Sequence, residues 1–164
     1  MNNKKIISYT YKHLWRKRNK DITKLLTPFR GSVLDIGCGD KDILNFFTLK
    51  KDIFITEYLG IDRVDTADIV IDLNKEVVPL TKVYDLGLFI GVLEYLDDPI
   101  AVLKSYQPFA KRWVILTHYS KKKPKALKRT WHQSYTPEDI IEFKKIFKTV
   151  ELHKESTSLI WDCK

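Results

Sequence analysis

Apolar residues change their period along this chain, and each change marks an element. Between residues 5 and 26, Ile7, Tyr11, Leu14, Trp15, Ile22, Leu25 and Leu26 recur at helical spacing, which predicts an amphipathic helix. Arg18 interrupts its apolar stripe, and Pro28 and Gly31 end it. The period then shortens. Ser32–Ile36 is a short apolar run ending in Gly37, Cys38 and Gly39, the pattern of a buried strand feeding a turn. Asp40 is placed to cap a helix over Lys41–Leu49. Tyr58–Ile61, Asp68–Ile71 and Tyr84–Ile90 read as three more strands, the last with Gly87 at a close-packing or bulge position. Asp98 and Pro99 open a helix that runs to about Phe109. Trp113–Thr117 predicts a fifth strand and Lys121–Arg129 a basic loop. Thr136, Pro137, Glu138 and Asp139 begin a helix to about Phe147, because Thr caps, Pro starts and acids favour the positive helix end. Residues 148–155 and 157–162 predict two closing strands.

Strands alternating with helices imply an α/β domain around a mostly parallel sheet. At 164 residues the chain has the size of one domain, with the first thirty residues covering the site and residues 31–164 forming the body. In such sheets ligands bind beyond the carboxyl ends of the strands. The turn at Gly37–Gly39, Asp62, Asp72, and Ile90 with Gly91 all fall just after strands, so they converge on one edge.

Composition narrows the possibilities. No run approaches the ~18 apolar residues of a membrane span, and no apolar core follows the basic head as a secretory signal requires. The two cysteines, Cys38 and Cys163, are too few for a disulfide scaffold or a zinc module, so no metal is expected and a reducing cytoplasm is the expected home. The net charge of +8 is concentrated. Residues 1–30 carry nine Lys and Arg against Asp21 alone, and residues 111–130 carry eight against no acid. The stretch between them holds fourteen acids and seven bases. Many of these lysines suit plain solvation, but two basic segments flanking an acidic domain also suit an anionic partner.

The chemistry sits in the acidic stretch. The glycine turn lets backbone approach a ligand closely. Asp35, Asp40 and Asp42 would repel a pyrophosphate, and Asp42 stands where a dinucleotide fingerprint wants Gly or Ala. They suit a ligand carrying cationic groups instead. Asp62, twenty-three residues after Gly39, is placed to accept both hydroxyls of a ribose. Asp72 is placed to accept from an exocyclic amine, with Leu73 beside a purine face.

LDIGCG, YLGID, DIVIDLN and GVLEYLDDP, in this order and spacing, resemble the class I S-adenosylmethionine-dependent methyltransferases, above all the small-molecule, type-11 group. The resemblance covers about residues 30–155. It implies a Rossmann-like three-layer domain whose seven-stranded sheet is mostly parallel with the last strand antiparallel. It implies S-adenosyl-L-methionine as cofactor and S-adenosyl-L-homocysteine as product. Asp35, Gly37, Cys38 and Gly39 would cradle the cofactor, Asp62 and Arg63 would meet the ribose, Asp72 and Leu73 the adenine, and Ile90 and Gly91 the methionine part. The chain departs from the family pattern where Lys41 replaces its third glycine and Tyr95 its usual His.

Methyl transfer from a sulfonium needs positioning above all, and a base only where the acceptor must lose a proton. His118 and His132 are the candidate bases. Tyr9, Tyr11, Tyr95 and Tyr119 are candidate acceptor contacts, as are Lys121, Lys122 and Lys123, and Trp131 and Tyr135 as stacking surfaces. No DPPY or NPPY follows the fourth strand and no Cys after Pro or Thr, which disfavours base-directed DNA chemistry. Three readings remain: a methyltransferase for a small or glycan-like anionic acceptor, an RNA-modifying member of the same fold, and a cofactor-binding scaffold without turnover that acts through a partner protein. A homodimer is compatible with all three.

Overall fold

The computed structural model describes residues 16–118, 135, 137–154 and 158–164. Helix α1, residues 16–25, precedes β1 (Phe29–Ile36), α2 (Asp42–Thr48), β2 (Ile53–Asp62), β3 (Ile69–Val70) and β4 (Leu86–Ile90). Helix α3 (Pro99–Tyr106), β5 (Trp113–His118), α4 (Ile140–Lys144), β6 (Val150–Lys154) and β7 (Ser158–Cys163) complete the chain. The seven strands form one sheet in the order β3-β2-β1-β4-β5-β7-β6. The first five run parallel, and β7 lies antiparallel to both neighbours. This is the three-layer architecture expected from the sequence.

The central strands are continuous apolar runs because both of their faces are buried. One face carries Leu34, Ile36, Ile61, Phe89, Trp113 and Ile115 into a core closed by Val102, Leu103 and Tyr106 of α3 and Phe143 of α4. The opposite face carries Val33, Leu86, Leu88, Val114 and Leu116 against Ile22 in the last turn of α1, Leu26 just past its end, and Ile43 and Phe47 of α2. Helix α1 is therefore seated on the same sheet as the rest of the domain.

Gly87 is a packing glycine. A Cβ there would lie 2.3 Å from the Trp113 ring, which stacks on Phe89 with centroids 5.1 Å apart. Gly87→Ala is expected to cost about 1–3 kcal/mol by overpacking. That lowers the melting temperature by roughly 2–12 °C for a domain of this size. Thermal unfolding of the purified variant checks it; an unchanged melting temperature would refute the packing role.

Several predicted boundaries shift. Strand β2 begins five residues before Tyr58, and β1 three before Ser32, since their pairing continues through Phe29↔Ile53. Asp98 caps α3 by accepting from the Ala101 N–H at 2.9 Å, with Pro99 at its first position, as expected. Asp40 does not cap α2. That helix starts one residue later, with Lys41 at its cap and no side-chain cap bond. Residues 1–15 and the basic loop of Lys121–Arg129 lie outside the described residues.

Candidate active site

Strand β1 lies between β2 and β4, where the winding of the sheet reverses, so a crevice opens beyond its carboxyl end. Gly37, φ +77°, and Gly39, φ +53°, take left-handed backbone there, which side chains resist. The Gly37 N–H donates to the Ile61 carbonyl at 2.7 Å and ties the turn to β2. A Cβ on Gly37 would collide with Val92, whereas one on Gly39 would meet nothing within 4 Å. The turn is thus packed behind and open in front.

Asp62 ends β2 and faces this turn. Its Oδ2 accepts from the Gly39 N–H at 2.8 Å and its Oδ1 from the Arg63 N–H at 2.6 Å. Each oxygen keeps a second lone pair for a ligand hydroxyl. The Asp62 carbonyl accepts from the Ile71 N–H at 2.8 Å, which brings Asp72 alongside. Asp72 accepts from the Asn74 N–H at 3.1 Å, and that bond, together with Lys75, holds its carboxyl below the usual range. Leu73 beside it is buried.

Asp35 is the buried carboxylate of the site. Tyr58 donates its hydroxyl to Oδ2 at 2.6 Å, and Oδ1 is buried without a partner. Burial, opposed by the Tyr58 bond and reinforced by the Asp62 charge, pushes the Asp35 carboxyl up to about 7. Burial and the Asp35 charge likewise push the Cys38 thiol up to about 12, so Cys38 stays protonated and serves as a small wall residue.

Lys41 has φ +57°, left-handed like the glycines before it. A non-glycine residue there pays roughly 1–2 kcal/mol of strain. Its ammonium lies 2.6 Å from Asp68 Oδ1, while Asp68 Oδ2 accepts from the Gly60 N–H at 2.7 Å. The departure from the family's glycine is therefore accommodated with its glycine-like backbone intact.

Gly91, φ +66°, follows β4 and donates its N–H to the Leu116 carbonyl at 2.8 Å. Asn74 bridges this side to the Asp72 loop: its amide donates to the Tyr95 carbonyl at 3.2 Å and accepts from the Asp97 N–H at 2.9 Å. Sequence reasoning missed Asn74 and Tyr58. Asn74 carries no signal beyond the motif it sits in, whereas Tyr58 is a polar tip at the start of an otherwise apolar run.

The structure brings Asp35, Gly37, Cys38, Gly39, Asp62, Arg63, Asp72, Leu73, Ile90 and Gly91 to one edge. Tyr95 is half-buried at the end of a short 3-10 turn, Leu93–Tyr95, that follows β4. His118 closes β5 opposite Ser158 of β7. Tyr135 differs from the stacking surface expected of it: it is 7% exposed, with its ring against Phe143 at 6.2 Å, because an apolar ring gains more from the core than from water. Tyr9, Tyr11, Tyr119, Lys121, Lys122, Lys123, Trp131 and His132 lie outside the described residues.

A parallel sheet of reversed order closed by an antiparallel β7, with a glycine turn after β1 and a carboxylate at the end of β2, is the architecture of the class I S-adenosylmethionine-dependent methyltransferases. The chain belongs to the methyltransferase-domain family, which matches residues 11–147. Solved structures agree in fold. The small RNA methyltransferase HEN1 aligns at TM-score 0.70 and 16% identity, over 90% of this chain and 25% of its own. This chain thus spans about a quarter of that protein. The N-terminal domain of EvdMO1, with S-adenosylhomocysteine and D-fucose present, aligns at TM-score 0.64 and 12% identity, over 90% and 83% of the two chains. Magnesium protoporphyrin IX methyltransferase from Synechocystis PCC 6803 aligns at TM-score 0.64 and 13% identity, over 90% and 82%. No curated protein matches the sequence. Among the described residues no helix is long and apolar enough to cross a membrane.

The residues present fit S-adenosylmethionine, the cofactor of this class. The orphaned Asp35 oxygen suits an ammonium group, the open side of Gly39 admits a close ligand, and Asp62 has lone pairs for a ribose. Affinity for S-adenosylhomocysteine is expected to rise with pH up to about 7 and then level off. The reason is linkage. An ammonium favours ionised Asp35, so below pH 7 binding must expel its proton, at up to about tenfold in affinity per pH unit. In the free protein the sign is opposite. The folded carboxyl titrates above its usual 3.8, so its contribution to stability is full below pH 4 and lost as pH rises through 7. Calorimetric titration from pH 5.5 to 8.5 checks this, and Asp35→Asn should bind weakly with a flat profile.

Proposed function

We propose that this chain transfers a methyl group from S-adenosylmethionine to a small or glycan-like anionic acceptor. The observation that carries this reading is the division of charge across the crevice. The cofactor edge presents Asp35 and Asp62, while α1, packed on the adjoining face, carries Arg16, Lys17, Arg18, Lys20 and Lys24 against Asp21. An anionic acceptor is drawn to the second surface and repelled by the first. The cofactor brings a methyl group already activated on a positively charged sulfur. What the chain must supply is orientation and exclusion of water. The glycine turn and Asp62 fix the nucleoside end of the donor. The backbone at Ile90 and Gly91 leaves the approach to the methyl group open. His118, at the end of β5, is the first candidate to take a proton from an acceptor hydroxyl, and His132 the second. The D-fucose recorded with the EvdMO1 domain supports a sugar-like acceptor.

RNA is the second reading, favoured by the likeness to HEN1 and by the net charge of +8. Methyl-labelled S-adenosylmethionine offered with pools of acidic sugars and small carboxylates, and separately with small RNAs, tests both. Label in the first pool supports the proposal. Label in RNA alone, with retention that falls steeply with salt, replaces it. Cofactor binding with no label in any pool favours a scaffold acting through a partner protein.

A further inference from the structure

Away from the cofactor edge, a cluster of donor side chains stands on the face of the sheet that α1 covers. In the antiparallel hairpin of β6 and β7, Glu151 is the register partner of Asp162, and His153 that of Ile160. Residues two apart on a strand share a face, and so do direct cross-strand partners. Glu151, His153 and Asp162 therefore project together, on the side where Ile160 packs with Val114 and Leu116. Their ligating atoms, one from each side chain, lie within 4.8 Å of one another. Asp162 pairs with Val114, near the start of β5, so the cluster lies toward the end of the sheet opposite the glycine turn.

The hydrogen bonds around these residues are those of an unfilled ligand set. His153 Nε2 is buried and has no hydrogen-bond partner among the described residues. Glu151 Oε2 stands 4.0 Å from it, beyond hydrogen-bond reach. Asp162 is 7% exposed and is gripped by Arg112, whose Nε donates to Oδ1 at 2.8 Å and Nη2 to Oδ2 at 2.7 Å. Each of these oxygens keeps a further lone pair. A carboxylate oriented by such a donor is held as outer-shell partners hold a metal ligand. Glu151 is exposed, so its side chain is able to swing toward the other two. A groove of about 300 Å³ gives access: Asp21, Lys24 and Leu25, on one face of α1, form one wall, and His153 and Ile160 the other.

We propose that Glu151, His153 and Asp162 bind one divalent transition-metal ion at this hairpin, with Arg112 as the group that orients Asp162. A tetrahedral ion holds nitrogen and oxygen donors at about 2.0–2.2 Å, hence roughly 3.4 Å from one another. Side-chain rotations of about an ångström bring the three donors to that spacing. The fourth position faces the groove and is left to water. One imidazole with two carboxylates suits zinc, whereas magnesium takes oxygen ligands alone in strict octahedral geometry. Two carboxylates match the charge of the ion. Such a set needs no cysteine, so the low cysteine count that argues against a zinc module does not bear on it. The ion would tie β6 to β7 at the outer edge of the sheet, apart from the cofactor.

The test is calorimetric titration of the full chain, freed of metal with a chelator, with zinc chloride. Wild type, His153→Ala and Glu151→Gln are compared after thermal unfolding shows them folded. Wild type is expected to saturate with one zinc ion per chain and to melt at a higher temperature when zinc is present. Each variant should bind zinc at least about tenfold more weakly, and the zinc-induced rise in melting temperature should shrink with it. Cobalt(II) in place of zinc should give visible absorption in wild type that His153→Ala loses. Wild-type zinc affinity in both variants would place the ion elsewhere on the chain and overturn the proposal. A wild type with no saturable zinc binding would overturn it as well. Zinc displaced by a modest excess of magnesium would show a site without the imidazole and remove His153 from it.

Discussion

Gly37→Ala is expected to lower the stability of this domain by about 2–5 kcal/mol and to abolish measurable cofactor binding. Two costs add at this position. Its φ of +77° is left-handed, worth roughly 1–2 kcal/mol to an alanine. The new Cβ would also stand 2.4 Å from both Cβ and Cγ2 of Val92. That overlap forces the segment after β4 to move, at about 1–3 kcal/mol. The melting temperature should fall by roughly 4–20 °C. Gly39→Ala separates stability from binding. Its φ of +53° carries the same strain, but its Cβ would meet nothing within 4 Å. That variant should lose only about 1–2 kcal/mol of stability, yet bind S-adenosylhomocysteine at least tenfold more weakly, because the methyl group fills the open front of the turn. Scanning calorimetry with and without S-adenosylhomocysteine reads both effects. If Gly37→Ala melts with wild type, the contact between the turn and Val92 is not as described.

Asp62→Ala should weaken S-adenosylhomocysteine by about 1–3 kcal/mol, or roughly five- to 150-fold, from the loss of charge-assisted bonds to the ribose. The side chain has a second duty, since it holds the Gly39 and Arg63 N–H groups at 2.8 and 2.6 Å. Asp62→Asn retains one acceptor oxygen and should fall between wild type and Asp62→Ala. A folded Asp62→Ala chain with wild-type affinity would remove Asp62 from the ribose site.

Most of the cofactor edge is legible in the sequence, for a physical reason. A strand buried on both faces reads as an apolar run, and the residue that ends it is forced to the sheet edge. The glycine turn, Asp62, Asp72 and Gly91 could therefore be placed without coordinates. The spacing of four such motifs also carried the family. Burial was less legible. Tyr135 resembles a surface aromatic in a polar stretch, and only the packing of Phe143 and Trp161, 4.6 Å apart, shows that it belongs to the core.

The sequence by itself determined the alternation of elements, the mostly parallel sheet and the edge where the chemistry gathers, because these follow from local period and from where each apolar run ends; the count of seven strands in one sheet came with the family resemblance. Tertiary structure alone decided how that edge is charged. The Tyr58 hydroxyl on Asp35 joins residues twenty-three apart, and burial, which no local pattern encodes, lifts that carboxyl to about 7. Lys41 keeps a glycine's backbone with Asp68, from the far side of β2, at its ammonium. Arg18, a break in the apolar stripe when read along the chain, becomes a guanidinium over Gly91 once α1 is laid on the sheet. Contacts between distant residues depend on how elements pack, and packing is settled only when the whole core closes.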